Sequence, residues 1–240
     1  MPIYEREEEY IKLLSVSNYT VKNLSKKFFI SEPTVRRDIN AMKQKGLIES
    51  RRGVISLKIN SPDSRIPVSV RDIERVAEKD AIAKIAVSHI KDGQTIILDS
   101  STTALAIAPY LLPFKDILVI TNGIKTAYTL LNMNIKTIVI GGMVTPKSYS
   151  CLSVDAEKEL NRYNADICFF SARGINEKGI ITDNSIEGNA IRKVMIKNSN
   201  ESYLLIDSSK VGKTLFNTLC NKNELTGVIC DKDLSNYFEE

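Results

Sequence analysis

The chain has 240 residues, of which 43% are hydrophobic and 26% charged, a balance typical of a soluble globular protein with one small and one average-sized domain. The N-terminus is charged, and no apolar run approaches the ~18 residues that a membrane span needs, so we predict neither a secretory signal nor a membrane partner. The four cysteines have no metal-ligand spacing, which favours reduced thiols, a cytoplasmic protein, and no metal or cofactor.

The net charge of +4 is unevenly distributed along the chain. Residues 20–58 hold ten Lys and Arg against three Asp and Glu, a local net charge of +7. Residues 61–240 hold 21 against 22, a net charge of −1. A basic excess confined to one short segment is typical of a nucleic-acid contact, although a solvated basic face has the same composition.

Three helices are predicted in the first 45 residues. The first covers residues 5–16, the second begins after the N-cap Thr20, and the third begins after the N-cap Ser31 and runs to about Lys45. Each helix has apolar residues at helical spacing: Tyr10, Ile11 and Leu14, then Val21, Leu24 and Phe28, then Val35, Ile39 and Met42.

The third helix has a polar face opposite its apolar one. At ~100° per residue this face carries Pro33, Arg37, Asn40 and Gln44, with Arg36 on its flank. Two short helices joined by a tight turn, the second with such a face, are typical of a helix-turn-helix. There the second helix contacts base edges in the major groove, and arginine can bind guanine through two hydrogen bonds.

A hairpin with a basic tip is predicted directly after Gly46. Its strands are Leu47-Ile48 and Val54–Leu57, on either side of Arg51-Arg52-Gly53. A helix-turn-helix followed by such a hairpin is a winged helix. We therefore predict that the segment binds a double-stranded DNA operator through Ser31, Pro33, Thr34, Arg36, Arg37, Asn40, Arg51 and Arg52. A three-helix module used for protein contacts is the alternative.

The remaining chain predicts a linker and an α/β domain. We expect a winged helix-turn-helix domain over residues 1–58, a linker over the proline-containing residues 59–73, and a second domain over residues 74–240. In that domain apolar runs alternate with helical segments, which is typical of a mostly parallel sheet covered on both faces. The runs are Thr95–Leu98, Ile117–Ile120, Thr137–Ile140, Ile167–Phe170, Tyr203–Ile206 and Gly227–Cys230.

Polar or glycine-rich segments follow several of these strands. Ligands of open α/β sheets bind at the carboxyl ends of strands, and hydroxyls and backbone amides at helix starts bind phosphate. Lys210 adds a positive charge, and Asp99 and Asp207 can accept hydrogen bonds from sugar hydroxyls. We predict a phosphorylated sugar bound by Asp99, Ser100, Ser101, Thr102, Thr103, Thr121, Asn122, Gly123, Gly141, Gly142, Arg173, Asp207 and Lys210. Each loop alone has a structural explanation, a helix cap or a turn, and Arg173 alone is explained as a surface residue.

Both parts of the chain resemble one known family. The segment LSKKFFISEPTVRRDINAMKQKGLIESRRG resembles the DNA-binding signature of DeoR-type bacterial regulators, and Ser31, Thr34, Val35, Arg36, Arg37 and Asp38 match its most characteristic stretch. The pieces LDSSTT, VITNG, IVIGG, ARGINEKGIIT and LLIDSSKVGK resemble the sensor domain of that family, which is similar in fold to ribose-5-phosphate isomerase. The resemblance implies a homo-oligomeric repressor of a carbohydrate-metabolism operon, controlled by a sugar phosphate.

An enzyme is the main alternative function. Asp207 and Lys210 beside a phosphate site could transfer a proton in a sugar-phosphate isomerase or transferase with an accessory helical domain. However, no second acid–base carboxylate and no nucleophile–base pair accompanies them. The single histidine, His89, lies in a helical stretch, where a packing role is the simpler explanation. We therefore predict a sequence-specific DNA-binding transcription regulator and not an enzyme.

Overall fold

The chain folds into two compact units, residues 1–74 and residues 75–240. The structure is a computed structural model that describes residues 3–57, 68–145 and 148–238. Each unit has its own apolar core.

The first unit contains short helices and a small antiparallel sheet. Its helices are α1 (Ile3–Val16), α2 (Val21–Phe28), α3 (Glu32–Gln44) and α4 (Val68–Ile73). The strands β1 (Tyr19–Thr20), β2 (Ile48–Arg51) and β3 (Val54–Leu57) pair in the order β1-β3-β2. The helices α1 to α3 and the strand β3 lie where the sequence predicts them, whereas β2 begins one residue later than predicted and continues through Arg51. The strand β1 was not predicted, because two residues carry no periodic pattern.

The core of the first unit is formed by the predicted apolar faces. Tyr10 and Ile11 of α1, Leu24 of α2, and Val35 and Met42 of α3 are buried against one another. Each such side chain stabilises the fold by about 1.5–3 kcal/mol when it is fully buried. The core therefore holds α3 with its polar face outward.

The predicted linker is described only in part. Residues 58–67, which include its two prolines, lie outside the described residues. Residues 68–73 form α4, which contacts α1 inside the first unit. The boundaries 1–58, 59–73 and 74–240 stay a prediction.

The second unit is built on a six-stranded parallel sheet of order β14-β12-β9-β4-β5-β6. Each of the six predicted apolar runs contributes one strand. An α/β domain with a mostly parallel sheet, preceded by a small winged helix-turn-helix, is therefore confirmed as the fold class. The strands are β4 (Thr95–Leu98), β5 (Leu118–Thr121), β6 (Thr137–Val139), β9 (Ala165–Ser171), β12 (Ser199–Ile206) and β14 (Gly227–Cys230).

Helices cover both faces of this sheet. Phe169 packs in the cluster on one face with Ile82, and its neighbour Phe170 packs in the cluster on the other face with Ile191. Side chains that alternate between two buried faces explain why the strands are continuous apolar runs. The helices are α5 (Val76–Val87), α6 (Thr102–Leu105), α7 (Ile124–Asn132), α8 (Val154–Leu160) and α9 (Ile186–Lys197), with 3₁₀ turns at Ala108–Leu111, Ser208–Lys210 and Lys222–Glu224.

Two small antiparallel elements flank the main sheet and were not predicted. The hairpin β7 (Val144–Thr145) and β8 (Ser150–Cys151) follows β6. The strands β10 (Gly174–Ile175), β11 (Ile180–Asp183) and β13 (Asn217–Asn221) form a second sheet. Both elements bring additional residues to the carboxyl ends of the main strands.

The strand order reverses between β4 and β9. From β4 the chain adds β5 and β6 on one side, and then β9, β12 and β14 on the other. In open α/β sheets a crevice forms at the carboxyl ends of the strands where the order reverses, and ligands bind there. The loops after β4 and β9 border this crevice.

Candidate nucleic-acid interface and strand-end site

The helix α3 begins at a capped turn. The Oγ of Ser31 accepts a hydrogen bond from the backbone N–H of Thr34 at 3.4 Å and lies 2.9 Å from the Oγ1 of Thr34. Pro33 lies in the first turn, where a missing N–H leaves no helical hydrogen bond unmade. The predicted N-cap is confirmed, and the cap fixes where α3 starts.

The polar face of α3 is exposed, as its spacing predicts. Pro33, Arg36, Arg37, Asn40 and Gln44 are all exposed. The guanidinium of Arg36 lies 3.5 Å from the Glu32 carboxylate in an ion pair open to solvent, and such pairs contribute about 0–1 kcal/mol. Arg37 and Asn40 make no side-chain hydrogen bond or ion pair within the described part of the chain. Both are therefore available to another molecule.

The hairpin after α3 is closed by a two-residue turn. Arg51 pairs with Val54 across the turn, and the two residues between them, Arg52 and Gly53, have φ angles of 50° and 80°. Positive φ at both central positions is the type I′ geometry of tight hairpins. The single glycine suffices because Arg52 itself adopts the left-handed conformation. The exposed Arg51 and Arg52 thus lie at the tip of the wing.

One groove joins α3 to the wing. It is lined by Arg36, Asn40 and Lys43 of α3, and by Ser50 and Gly53 of the hairpin. Lys43 was not among the predicted contacts, because it lies on the flank of the predicted polar face, on the same side as Arg36. Its position seven residues after Arg36, two helical turns, was the signal that could have found it.

A buried ion pair ties α3 to α1. The Nε and Nη2 of Arg6 donate hydrogen bonds to the two carboxylate oxygens of Asp38 at 2.8 and 3.1 Å, and the Tyr10 hydroxyl donates at 3.3 Å. Asp38 is 2% exposed, and its hydrogen bond raises the pKa of Arg6. Because Asp38 directly follows Arg37, this pair sets the rotation of the exposed face. Sequence reasoning did not find Arg6, since a contact across 32 residues leaves no local pattern.

Asp99, at the end of β4, is surrounded by donors from the protein itself. Its Oδ1 accepts a hydrogen bond from the Ser101 N–H at 3.0 Å, and its Oδ2 accepts from the Ser171 N–H and from the Nε of Arg192, each at 3.2 Å. Asp99 is 2% exposed. Both carboxylate oxygens of Asp99 are therefore already hydrogen-bonded within the protein, and its direct contact with a sugar stays a prediction.

Arg192 bridges two carboxylates at this crevice. Besides Asp99 it contacts Asp183, from Nη1 to Oδ2 at 3.3 Å, and Asp183 also lies 3.8 Å from Arg173. Burial lowers the pKa of Arg192, but Asp183 and Asp99 outweigh burial and raise it above its ordinary value. Sequence reasoning missed Arg192, although a charged residue four positions after the buried Gly188 of α9 was a signal.

The loop after β5 contributes a free hydrogen-bond acceptor. Asn122 is 1% exposed, its Nδ2 donates to the Cys151 carbonyl at 3.2 Å, and its Oδ1 has no partner among the described residues. A Cβ added to Gly123 would lie 2.9 Å from the Cα of Ser100, so only glycine allows the loops after β4 and β5 to approach this closely. The Ser100 hydroxyl in turn accepts a hydrogen bond from Ser150 at 2.7 Å.

Other predicted hydroxyl contacts serve the loops themselves. The Ser101 Oγ caps α6 by accepting from the Ala104 N–H at 3.1 Å, and the Thr121 Oγ1 accepts from the Gly123 N–H at 3.1 Å. Thr102 and Thr103 are buried in the first turn of α6. These residues shape the crevice wall.

The glycine pair after β6 packs against α8. The Gly141 N–H donates to the Glu159 carboxylate at 2.8 Å, so this amide is occupied. A Cβ on Gly142, whose φ is +131°, would lie 2.6 Å from the Ser153 hydroxyl. The pair is therefore explained by its contact with α8.

Asp207, at the end of β12, is held between two cations. Its carboxylate lies 3.0 Å from the Lys210 ammonium and 3.5 Å from the Nε of Arg75, a residue that was not predicted. Burial raises the pKa of Asp207, but Lys210, Ser209 and Arg75 together hold it below its ordinary value. A general base needs a pKa near the working pH, so this carboxylate is a weak proton acceptor.

The described residues contain neither a membrane-spanning helix nor a cluster of metal ligands. Within the ranges 3–57, 68–145 and 148–238 no helix is long and apolar enough to cross a membrane. In the same ranges no three His, Cys, Asp or Glu side chains are grouped to hold a metal ion.

Solved structures with a similar fold include sugar-phosphate isomerases. Ribose 5-phosphate isomerase A from Methanocaldococcus jannaschii matches with a TM-score of 0.43 and 22% identity, over 57% of this chain and 55% of the isomerase chain. The isomerase from Plasmodium falciparum matches with a TM-score of 0.43 and 17% identity, over 61% of this chain and 54% of that one.

Family models and curated relatives match nearly the whole chain. Residues 6–58 match the DeoR-like helix-turn-helix domain, and residues 74–232 match the DeoR C-terminal sensor domain. The HTH-type transcriptional regulator GolR of Listeria innocua is 36% identical over 87% of this chain and 83% of its own length. The regulator IolR of Bacillus subtilis is 32% identical over 97% of this chain and 92% of its own. The chain therefore belongs to the DeoR family of helix-turn-helix transcription regulators.

Proposed function

We propose that the chain represses an operon of carbohydrate metabolism and releases its operator when a phosphorylated sugar binds the second unit. The observation that carries the DNA-binding part is the exposed face of α3 beside the wing, on which Arg37 and Asn40 have no side-chain partner among the described residues. The regulatory part is supported by relatives named lactose phosphotransferase system repressor in Staphylococcus aureus, 29% identical, and putative aga operon transcriptional repressor in Escherichia coli O157:H7, 27% identical. We extend the proposal to a homo-oligomer in the cytoplasm.

In the proposed complex α3 lies in the major groove. Arg37 and Asn40 contact base edges there without first breaking an internal ion pair, and Ser31, Pro33 and Thr34 lie at the entering end of the helix. Arg51 and Arg52 at the tip of the wing contact phosphates. The Arg6–Asp38 pair keeps the helix from rotating away from this orientation.

The proposal on DNA is tested with the full chain and a duplex selected by the protein from a random library. Replacing both Arg36 and Arg37 by Ala removes the base contact of Arg37, worth about 1–3 kcal/mol, together with the neighbouring basic side chain, so affinity falls by about tenfold or more and specificity is relaxed. Replacing Arg52 by Ala weakens binding to all DNA sequences alike. It also reduces the salt dependence of binding by the amount that about one phosphate contact contributes. Arg162→Ala, at an exposed position of the second unit, is the control. Unchanged affinity in the double variant would show that α3 is not the recognition helix.

The proposed sugar-phosphate site spans the carboxyl ends of β5, β4, β9 and β12. Neighbouring strands lie about 4.8 Å apart, so the carboxyl ends of β5 and β12, three strand spacings from each other, are separated by about 14 Å. We assign the buried Oδ1 of Asn122 to a sugar hydroxyl, and Lys210 with Arg75 to the phosphate. The other predicted residues of these loops, including Asp99, Asp207 and Arg173, position these groups.

Sugar-phosphate binding is tested by thermal unfolding with a panel of phosphorylated sugars, their unphosphorylated forms and inorganic phosphate. We expect stabilisation by one phosphorylated sugar, loss of it in Lys210→Met, and no loss in Lys158→Met, whose side chain is 73% exposed on α8. The same sugar must weaken operator binding, since an effector acts only by binding the two states with different affinity. Conversion of the sugar phosphate into a product would contradict the sensor role and favour the enzyme.

A further inference from the structure

An exposed aromatic ring precedes the recognition helix. Phe29 lies in the turn between α2 and α3 and is 93% exposed, the highest value for a large hydrophobic residue in the described ranges. Single exposed apolar residues are common on protein surfaces, so exposure alone carries no argument. The backbone conformation of Phe29 supplies the argument.

Phe29 adopts the left-handed conformation, with φ of 54° and ψ of 41°. Glycine and asparagine take this conformation readily, whereas a bulky side chain is disfavoured there. The turn is held by its neighbours: the N–H groups of Phe29 and Ile30 both donate to the Ser25 carbonyl, and the Ser25 hydroxyl donates to the Ile30 carbonyl at 2.6 Å. The ring takes no part in these bonds, so the fold provides no reason for a phenyl group at this position.

The surroundings of Phe29 fit a polyanion. The exposed Lys26 and Lys27 lie just before it at the end of α2, and Ser31, the N-cap of α3, follows two residues later. Two residues span at most about 7 Å, so the ring lies at the end of α3 that approaches base edges in a helix-turn-helix. A second copy of this basic segment would be repelled by the two lysines, whereas DNA is attracted.

We propose that Phe29 determines sequence specificity by packing its ring against the C5-methyl group of a thymine at the edge of the major groove. The thymine methyl is the apolar feature of that groove, and phenylalanine is among the side chains suited to it. Lys26 and Lys27 hold the adjacent phosphates. The inference rests on the proposed placement of α3 in the groove.

The test uses the full chain, the selected operator duplex, and duplexes in which each thymine in turn is replaced by deoxyuridine, which lacks the methyl group. Wild-type protein loses affinity about fourfold at one thymine of each half-site, the effect of one buried methyl group. Phe29→Asn binds the unmodified duplex about tenfold more weakly and does not respond to deoxyuridine at that thymine. Its melting temperature is equal or higher, because asparagine suits the left-handed turn. Phe216→Asn, at a position 79% exposed in the second unit, changes none of these values.

Each result that contradicts the proposal identifies the part of it that is wrong. If Phe29→Asn binds like wild type while the Arg36/Arg37 double variant does not, the ring contact is wrong and the placement of α3 stands. If both variants bind like wild type, the placement of α3 itself is wrong. If no deoxyuridine weakens wild-type binding, the thymine contact is overturned. If Phe29→Asn lowers the oligomeric mass in sedimentation, the ring faces a second copy instead.

Discussion

The two units use their charged side chains in opposite ways. In the first unit Arg37 is free at the surface, and Arg36 and Arg51 make solvent-exposed ion pairs with Glu32 and Glu49. Arg6 and Asp38 form a partly buried pair beneath them. In the second unit the carboxylates at the strand ends are already paired with cations, Asp99 with Arg192 and Asp207 with Lys210. The proposed surface for DNA therefore presents cations that are either free or held only by exposed ion pairs, which contribute about 0–1 kcal/mol. A site for a small anion must exchange a carboxylate for a phosphate, and that exchange can change the conformation of the unit.

The pairing in the second unit is tested most strongly at Arg192. Arg192→Ala leaves Asp99 buried without a cation and leaves Asp183 with Arg173 alone. Breaking a buried pair costs about 3–5 kcal/mol, and we expect a loss within this range. Urea unfolding of the full chain measures it, with Arg162→Ala expected to stay within about 0.5 kcal/mol of wild type. A loss below about 1 kcal/mol would mean that water replaces the guanidinium and that the ion pairs contribute little.

The buried pair of the first unit has the next largest effect. Asp38→Ala removes the carboxylate that binds the Arg6 guanidinium, which is 15% exposed, and we expect a loss of about 3 kcal/mol, seen as faster hydrogen exchange in α3. The double variant Arg6→Met with Asp38→Leu replaces the pair by apolar contacts and recovers most of the stability. If the pair positions α3, operator affinity stays low in the double variant. Full recovery of affinity would limit the pair to a stabilising role.

The same contrast explains what sequence could and could not predict. Apolar periodicity located the exposed face of α3, and continuous apolar runs located all six strands of the main sheet, because both patterns follow from which side chains are buried. These patterns also located the strand ends where Asp99 and Gly141 lie. They could not predict their partners, Arg192 and Glu159, which are 93 and 18 residues away along the chain. Whether a polar group is free for a ligand depends on such distant contacts.

The ion pairs of Asp207 in the second unit are expected to have the smallest effect on stability. Its folded pKa lies below the ordinary value, so its ion pairs stabilise the protein fully above the unfolded pKa of about 3.9 and are lost as pH falls through the lower folded pKa. Its partners Lys210 and Arg75 are 26% and 45% exposed, so solvent screening limits the contribution to about 1 kcal/mol. Urea unfolding at pH 7 and pH 3 should show that Asp207→Asn loses more stability relative to wild type at pH 7 than at pH 3. An equal difference at both values would mean that packing, and not charge, accounts for the loss, and that Lys210 is already free to bind a phosphate.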